Sequence, residues 1–139
     1  MEIIAVAEQT VLENQNVLFT DSITSGNYSI SHRDSSGLVQ LRGITNQCRA
    51  RYKVSFGGNI AIPTGGTVEA ISVALAIEGE GIASSTMIVT PAAVEEYFNV
   101  FGAMFIDVPS GCCLTVSVRN MSTKAILVQN ANLIVERVE

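Results

Sequence analysis

An all-β sandwich of two antiparallel sheets is the fold this sequence predicts, on three observations. Apolar residues recur at every second position through most of the chain, the spacing that lays one face of a strand on a core. These runs are short and end in Gly, Pro, Asn or Ser, the residues of tight turns. No stretch carries a 3.6-residue period over the roughly ten residues of an ordinary helix, so an alternating αβ architecture lacks its helices. The 139 residues suit one domain, residues 1–139.

The elements follow in order. Val11, Leu12, Val17, Leu18 and Phe19 surround the polar group Glu13-Asn14-Gln15-Asn16, the pattern of two short strands about a turn. Thr20 to Ser36 reads as a polar, turn-rich stretch in which Tyr28 and Ile30 face one way and Ser29 and Ser31 the other. A short strand near 38–42 puts Val39 and Leu41 inward. In the next, Tyr52, Val54 and Phe56 form the inward set, and Gly57-Gly58 ends the strand or supplies a bulge. Asn59 to Ile62 is a brief extended piece stopped by Pro63. Thr67 to Ile77 alternates between a branched face (Ile71, Val73, Leu75, Ile77) and a small one (Ala70, Ser72, Ala74, Ala76). Glu78-Gly79-Glu80-Gly81 is a hairpin turn, and Ser84 to Thr90 is a strand stopped by Pro91. Ala92 to Glu96 is either one helical turn or a turn between strands.

Tyr97 to Val108 is the most apolar stretch. Tyr97, Phe101, Ala103 and Phe105 share one parity; Phe98, Val100, Met104 and Ile106 share the other. A sandwich core absorbs one face of a strand only, so the second face needs a cover. Gly102 is a place where a bulge would swap the two faces. Leu114, Val116 and Val118 then alternate with Thr115, Ser117 and Arg119. The last strand, Ala125 to Val138, carries Leu127, Leu133 and Val135 on one parity and Val128, Ile134 and Val138 on the other.

Composition excludes several functions. Hydrophobic residues make up 47% and charged residues 15%, against about 25% charged in an ordinary domain, which argues against disorder. The net charge is -5, and eight Lys plus Arg do not make a phosphate-tracking groove, so no nucleic-acid partner is expected. No apolar run reaches membrane-span length. Glu2 stands where a secretory signal needs positive charge, so no signal peptide is read in this chain. Cys48, Cys112 and Cys113 are an odd set. Buried free thiols are expected, Cys112 and Cys113 pointing to opposite faces of their strand, with a Cys48 bridge to one of them left open.

From Tyr52 onward, YKVSFGGNIAIPTGG, ISVALAIEGE, STMIVTP, YFNVFGAMFIDVPSGCCLTVSVRN and VQNANLIVERV resemble the C-terminal jelly-roll heads of bacterial collagen-like and phage-associated proteins. Those heads belong to the broad tumour-necrosis-factor and complement-type group. The resemblance implies a ten-stranded jelly roll that assembles as a homotrimer at the tip of a stalk or fibre. It implies that Arg51–Phe56 and Gly111–Val118 are interior strands and that Tyr97–Phe105 approaches the three-fold axis. It also sets Asn132-Leu133-Ile134-Val135 beside a first strand near Ala5. The trimer-interface candidates are thus Tyr97, Phe98, Phe101, Ala103 and Phe105, and the core-strand residues Tyr52, Val54, Phe56, Ile71, Val73, Leu75, Leu114, Val116 and Val118. The chain lacks the Gly-X-Y repeat of a collagen stalk, so it reads as a cut head domain or a free-standing subunit, the Met at its start favouring the second.

Chemistry is sparse. His32 is the one imidazole; Ser31, His32 and Asp34 can be named as a triad, but no nucleophile-elbow context surrounds them and a solvated loop histidine is expected. Cys112-Cys113 has no metal-spaced companions, leaving only a His32 set on a symmetry axis as a metal idea. Glu78, Glu80, Glu95, Glu96 and Asp107 are solvated acids, since Glu78-Gly79-Glu80 is not a twelve-residue calcium loop. Gly57-Gly58 and Gly65-Gly66 precede no phosphate-loop helix. Two glycosylation sequons, Asn27-Tyr28-Ser29 and Asn120-Met121-Ser122, matter only in a glycosylating compartment. No catalytic residue, metal or cofactor is expected. The leading function is a non-enzymatic structural subunit, a homotrimeric head of a phage particle or bacterial surface filament. Its partners would be a fibre, capsid or filament protein and a cell-surface receptor or glycan. A carbohydrate- or protein-binding module with its ligand site in the loops is the alternative, and an enzyme on a similar sandwich a third reading.

Overall fold

The computed structural model describes residues 1–24, 29–43, 48–111 and 113–139. Their strands are β1 (Glu2–Ala5), β2 (Gln9–Val11), β3 (Asp21–Thr24), β4 (Ile30–His32), β5 (Val39–Arg42), β6 (Arg49–Ala61), β7 (Ile71–Ile77), β8 (Glu80–Gly81), β9 (Met87–Val89), β10 (Phe98–Pro109), β11 (Cys113–Asn120) and β12 (Ile126–Arg137). All pairings are antiparallel and make two six-stranded sheets. The first has the order β10-β6-β12-β1-β3 with β2 also on β12; the second has β4-β5-β11-β7-β8 with β9 also on β7.

Alternation builds the core between them. Tyr52, Val54, Phe56, Ile60, Leu133 and Val135 of the first sheet meet Val39, Leu41, Val73, Leu75, Val116 and Val118 of the second, all 0% exposed. Branched and aromatic side chains suit this pleated surface, and each large one fully buried contributes about 1.5–3 kcal/mol. Ile71 is also buried, and Leu114 is half-buried against the cluster. Tyr52 sits among apolar groups yet keeps its hydroxyl satisfied by donating to the Arg42 carbonyl at 2.6 Å, which links β6 to β5 across the sandwich. Phe19 meets the Phe56 ring edge-on, 6.5 Å between centroids.

The structure departs from the sequence reading in several places. The polar stretch Thr20–Ser36 contains two short edge strands, β3 and β4; Tyr28 lies outside the described residues. Around Glu13–Asn16 there is one strand, β2, followed by isolated bridges at Asn16–Arg119 and Phe19–Ser36. Gly57-Gly58 neither ends nor bulges β6, which runs unbroken because β10 and β12 flank it on both sides. Gly102 swaps nothing: β10 and β6 stay in continuous register from Phe98↔Ile60 to Pro109↔Arg49.

The bulge lies instead in β12. Asn59 faces Gln129 and Gly57 faces Asn132, so Asn130 and Ala131 together oppose Gly58. Asn130 takes φ 54, the left-handed region that Asn tolerates better than most residues. A side chain on Gly58 would sit 3.1 Å from Phe56 Cζ and 3.4 Å from Ala131 Cα. The extra residue reverses parity: Ile126 and Val128 are buried before it, Ala131, Leu133 and Val135 after it. The sequence reading of one parity along the whole strand is corrected accordingly.

Two further segments are shorter than expected. β7 begins at Ile71 rather than Thr67. The Ser84–Thr90 strand shrinks to Met87–Val89, because Ala83–Ser85 forms one 3-10 turn. There the Ser85 hydroxyl accepts from the Leu75 N–H at 3.0 Å and donates to the Ile82 carbonyl at 2.7 Å, substituting a side chain for strand pairing. Residues 92–96 are bends and a turn without helix. Between β7 and β8, Glu78 and Gly79 both have positive φ, 53 and 83, the geometry of a two-residue hairpin turn.

Candidate functional site

The outward face of the first sheet is where the sequence candidates gather. On β10 the odd positions point away from the core, and Phe101 is 69% exposed and Phe105 61%. Cross-strand register sets Phe101 beside Gly57, Ala103 beside Ser55 and Phe105 beside Lys53. Asn132, Ile134 and Glu136 of β12 continue those rows on the far side of β6, and Ile4 and Glu2 of β1 lie beyond them. Gly57 leaves the surface flat: its missing side chain would have touched Phe101 Cδ2 at 3.8 Å. The result is a broad, shallow face with exposed Phe101, Phe105 and Ile134, interrupted by Lys53, Glu136 and Glu2. Exposed aromatic area of this kind is unusual on a surface that meets only water.

Not all five candidates share that face. Phe98 has the opposite parity, pairs with the buried Ile60 and sits at the rim of the core, half-exposed. Tyr97 precedes the strand and is half-buried; its hydroxyl donates to Glu8. Burial, and then the Glu8 carboxylate, push the Tyr97 phenol well above its ordinary range.

A charged cluster closes one end of the face. Arg51 grips Asp107 with two bonds, Nε to Oδ1 at 2.8 Å and Nη2 to Oδ2 at 3.3 Å. Arg49 Nε lies 3.3 Å from the same carboxylate, and both guanidiniums approach Glu139. The Arg51 hydrogen bond, with the charges of Arg51 and Arg49, holds the Asp107 carboxyl below its usual range.

The remaining candidates do not converge on chemistry. His32 is half-buried, with Nε2 2.9 Å from the Ser36 carbonyl and its ring edge-on to Phe19. A carbonyl only accepts, so Nε2 carries the proton. The imidazole thus orders its own loop rather than bonding Ser31 or Asp34, and its Nδ1 is buried without a partner. Among the described residues, no group of three or more His, Cys, Asp or Glu is placed to hold a metal ion, and no helix is long and apolar enough to cross a membrane. Glu78 Oε1 accepts from the Thr115 N–H at 2.6 Å, so it serves the turn. Cys48 and Cys113 are exposed, which corrects the expectation of buried thiols; Cys112 lies outside the described residues.

Sequence reasoning missed one important residue. Asn120, read as a sequon position, is 0% exposed. Its Nδ2 is 3.0 Å from the Val11 carbonyl, 3.3 Å from that of Leu12 and 2.9 Å from that of Lys124; its Oδ1 accepts from Ser122 N–H at 2.9 Å. It is a clamp between the β2 end and the β11–β12 turn, closed to any glycan. The other sequon, at Asn27, lies outside the described residues.

Comparison with known proteins places this architecture. No family model matches the sequence, and no curated protein matches it. Among solved structures, the globular domain of zebrafish complement 1qA superimposes with a TM-score of 0.62 at 11% identity, over 96% of this chain and 93% of that one. Murine APRIL superimposes with a TM-score of 0.60 at 10% identity, over 95% of each chain. The protein is therefore an all-β, two-sheet jelly-roll sandwich with the fold of the tumour-necrosis-factor and complement 1q domains.

Proposed function

We propose that the chain is a non-enzymatic binding domain that works as a homotrimer, closing its subunits over the outward face of the first sheet. The observation that carries this reading is the exposure of Phe101, Phe105 and Ile134 together on one side of β10, β6 and β12. Covering such a face removes apolar area from water, and closed symmetry covers it without leaving a free copy. Three-fold closure is taken from the resemblance. Within that assembly Phe101, Ala103 and Phe105 are contact residues, whereas Phe98 and Tyr97 stand at the margin. An extracellular setting, on a phage particle or a bacterial surface filament, is the finer form of the proposal and rests on the sequence resemblance alone; neighbouring tail, capsid or filament genes would test it. Sedimentation equilibrium should return about 44 kDa, three times the 14.8 kDa chain. A stable species of a single chain's mass at micromolar concentration would overturn the assembly.

A further inference from the structure

We infer that the second sheet carries a ligand site on its outward side, a polar cleft that takes an acidic sugar, a hexuronate unit. The cleft has a volume of about 300 Å³ and is lined by Ser31, His32, Arg33, Ser36, Leu38, Gln40 and Thr115. That volume is at the lower end of small-molecule pockets, the scale of one sugar ring. It rests on the reading of the chain as a binding domain, but it is complete within one copy and lies on the opposite sheet from the proposed contact face.

The chemistry of the lining decides the ligand class. Ser31 faces Gln40 across β4 and β5, and Gln40 faces Thr115 across β5 and β11, so three polar side chains form one row on rigid strands. Arg42 donates to Gln40 Oε1 at 3.0 Å, which orients the amide and leaves its NH₂ to donate outward. Ser36 Oγ accepts from Leu38 N–H and keeps its own hydrogen to give. Thr115 Oγ1 lies 3.2 Å from the Glu78 carboxylate, which only accepts, so the hydroxyl points its hydrogen there and offers lone pairs elsewhere. The cleft therefore presents donors and an acceptor side by side, the arrangement that vicinal hydroxyls satisfy.

Charge supplies the rest. Among the described residues Arg33 forms no side-chain hydrogen bond or ion pair, whereas Arg49 and Arg51 are engaged by Asp107 and Glu139. On a chain of net charge -5, an unengaged guanidinium at the mouth of a hydroxyl- and amide-lined cleft matches a carboxylate. Leu38 gives an apolar wall for the C–H face of a ring. Among the described residues no Phe, Tyr or Trp lines the cleft, and its hydrogen-bonding groups and one charge carry the recognition. A second hollow, about 240 Å³ beside Pro63 and Lys124, is less suited, since Lys124 already donates to Thr67 and Glu69 accepts from Thr123.

The test is a titration of the full chain, followed by amide chemical shifts, with glucuronate, glucose, acetate and sulfate as separate probes. Glucuronate should shift Ser31, Gln40 and Thr115 and bind about tenfold or more tightly than glucose, the worth of one charge-assisted pair. Arg33→Gln, an exposed change that leaves the core alone, should abolish that preference. Gln40→Ala should weaken both sugars. Acetate should perturb the Arg33 region only. Equal binding of glucose and glucuronate, insensitivity to Arg33→Gln, or sulfate binding as well as glucuronate does would each overturn the assignment. Sedimentation of the same sample separates the two proposals: a trimer that ignores glucuronate removes this site alone, and a monomer that binds it as described supports the site without the assembly.

Discussion

Asn120 and Asp107 show how far a side chain's surroundings, rather than its type, set its role. Asn120 has no exposed area and serves backbone groups on both sides of it, so truncation strands several carbonyls away from water. Asn120→Ala should cost about 2–4 kcal/mol in urea denaturation; a loss below about 1 kcal/mol would show that the loop repacks to satisfy itself. Asp107 is exposed and acts only through Arg51 and Arg49. Its carboxyl is held below the reference 3.8, so its contribution to stability is fully present above that value and disappears as pH falls through the depressed folded value. Arg51→Ala should move the Asp107 titration back toward 3.8 in carboxyl-carbon NMR, incompletely because Arg49 remains. An unchanged titration would mean that Arg49 alone sets it.

At the scale of an element, β12 depends on a single bulge. Its first half buries Ile126 and Val128, its second half Ala131, Leu133 and Val135, and only the residue inserted at Asn130 reconciles the two. That residue needs φ 54, which a β-carbon without a polar tip resists. Asn130→Ala should therefore cost about 1–2 kcal/mol, while Asn130→Gly should be within about 0.5 kcal/mol of the parent. Equal stability of the two variants would show that the Asn side chain, not the backbone angle, matters there. β10 makes the contrast: its register with β6 is continuous, so Phe101, Ala103 and Phe105 are held on one face by plain alternation.

For the whole molecule, the sandwich shelters one face of each sheet and leaves two outward faces of different character. Covering about 300 Å² of the aromatic face per subunit would contribute roughly 7 kcal/mol before the costs of association. Phe101→Asp should therefore dissociate the trimer to single chains in sedimentation equilibrium while the far-ultraviolet circular dichroism stays β. A variant that remains trimeric would show that Phe101 does not carry the contact. Three copies would turn three sugar clefts outward, so that glycans spaced to match would be held far more tightly than one unit.

Alternation, branched residues and turn signals made the two-sheet β fold legible, because they are local consequences of the pleat and of chain reversal. They also separated the faces of β10, whose exposed aromatics mark the proposed contact. The sequence could not reveal where a ladder tolerates glycine, which residue bulges, or that Ser85 substitutes for a strand partner, since neighbouring strands far along the chain decide these. Nor could it bring Thr115 beside Gln40 and Ser31: β11 meets β5 only through pairing across a long sequence separation. The alternating pattern sorted the residues of each strand into two faces; the tertiary pairing decided which face is buried and which exposed residues stand together, because register is a property of two strands and never of one.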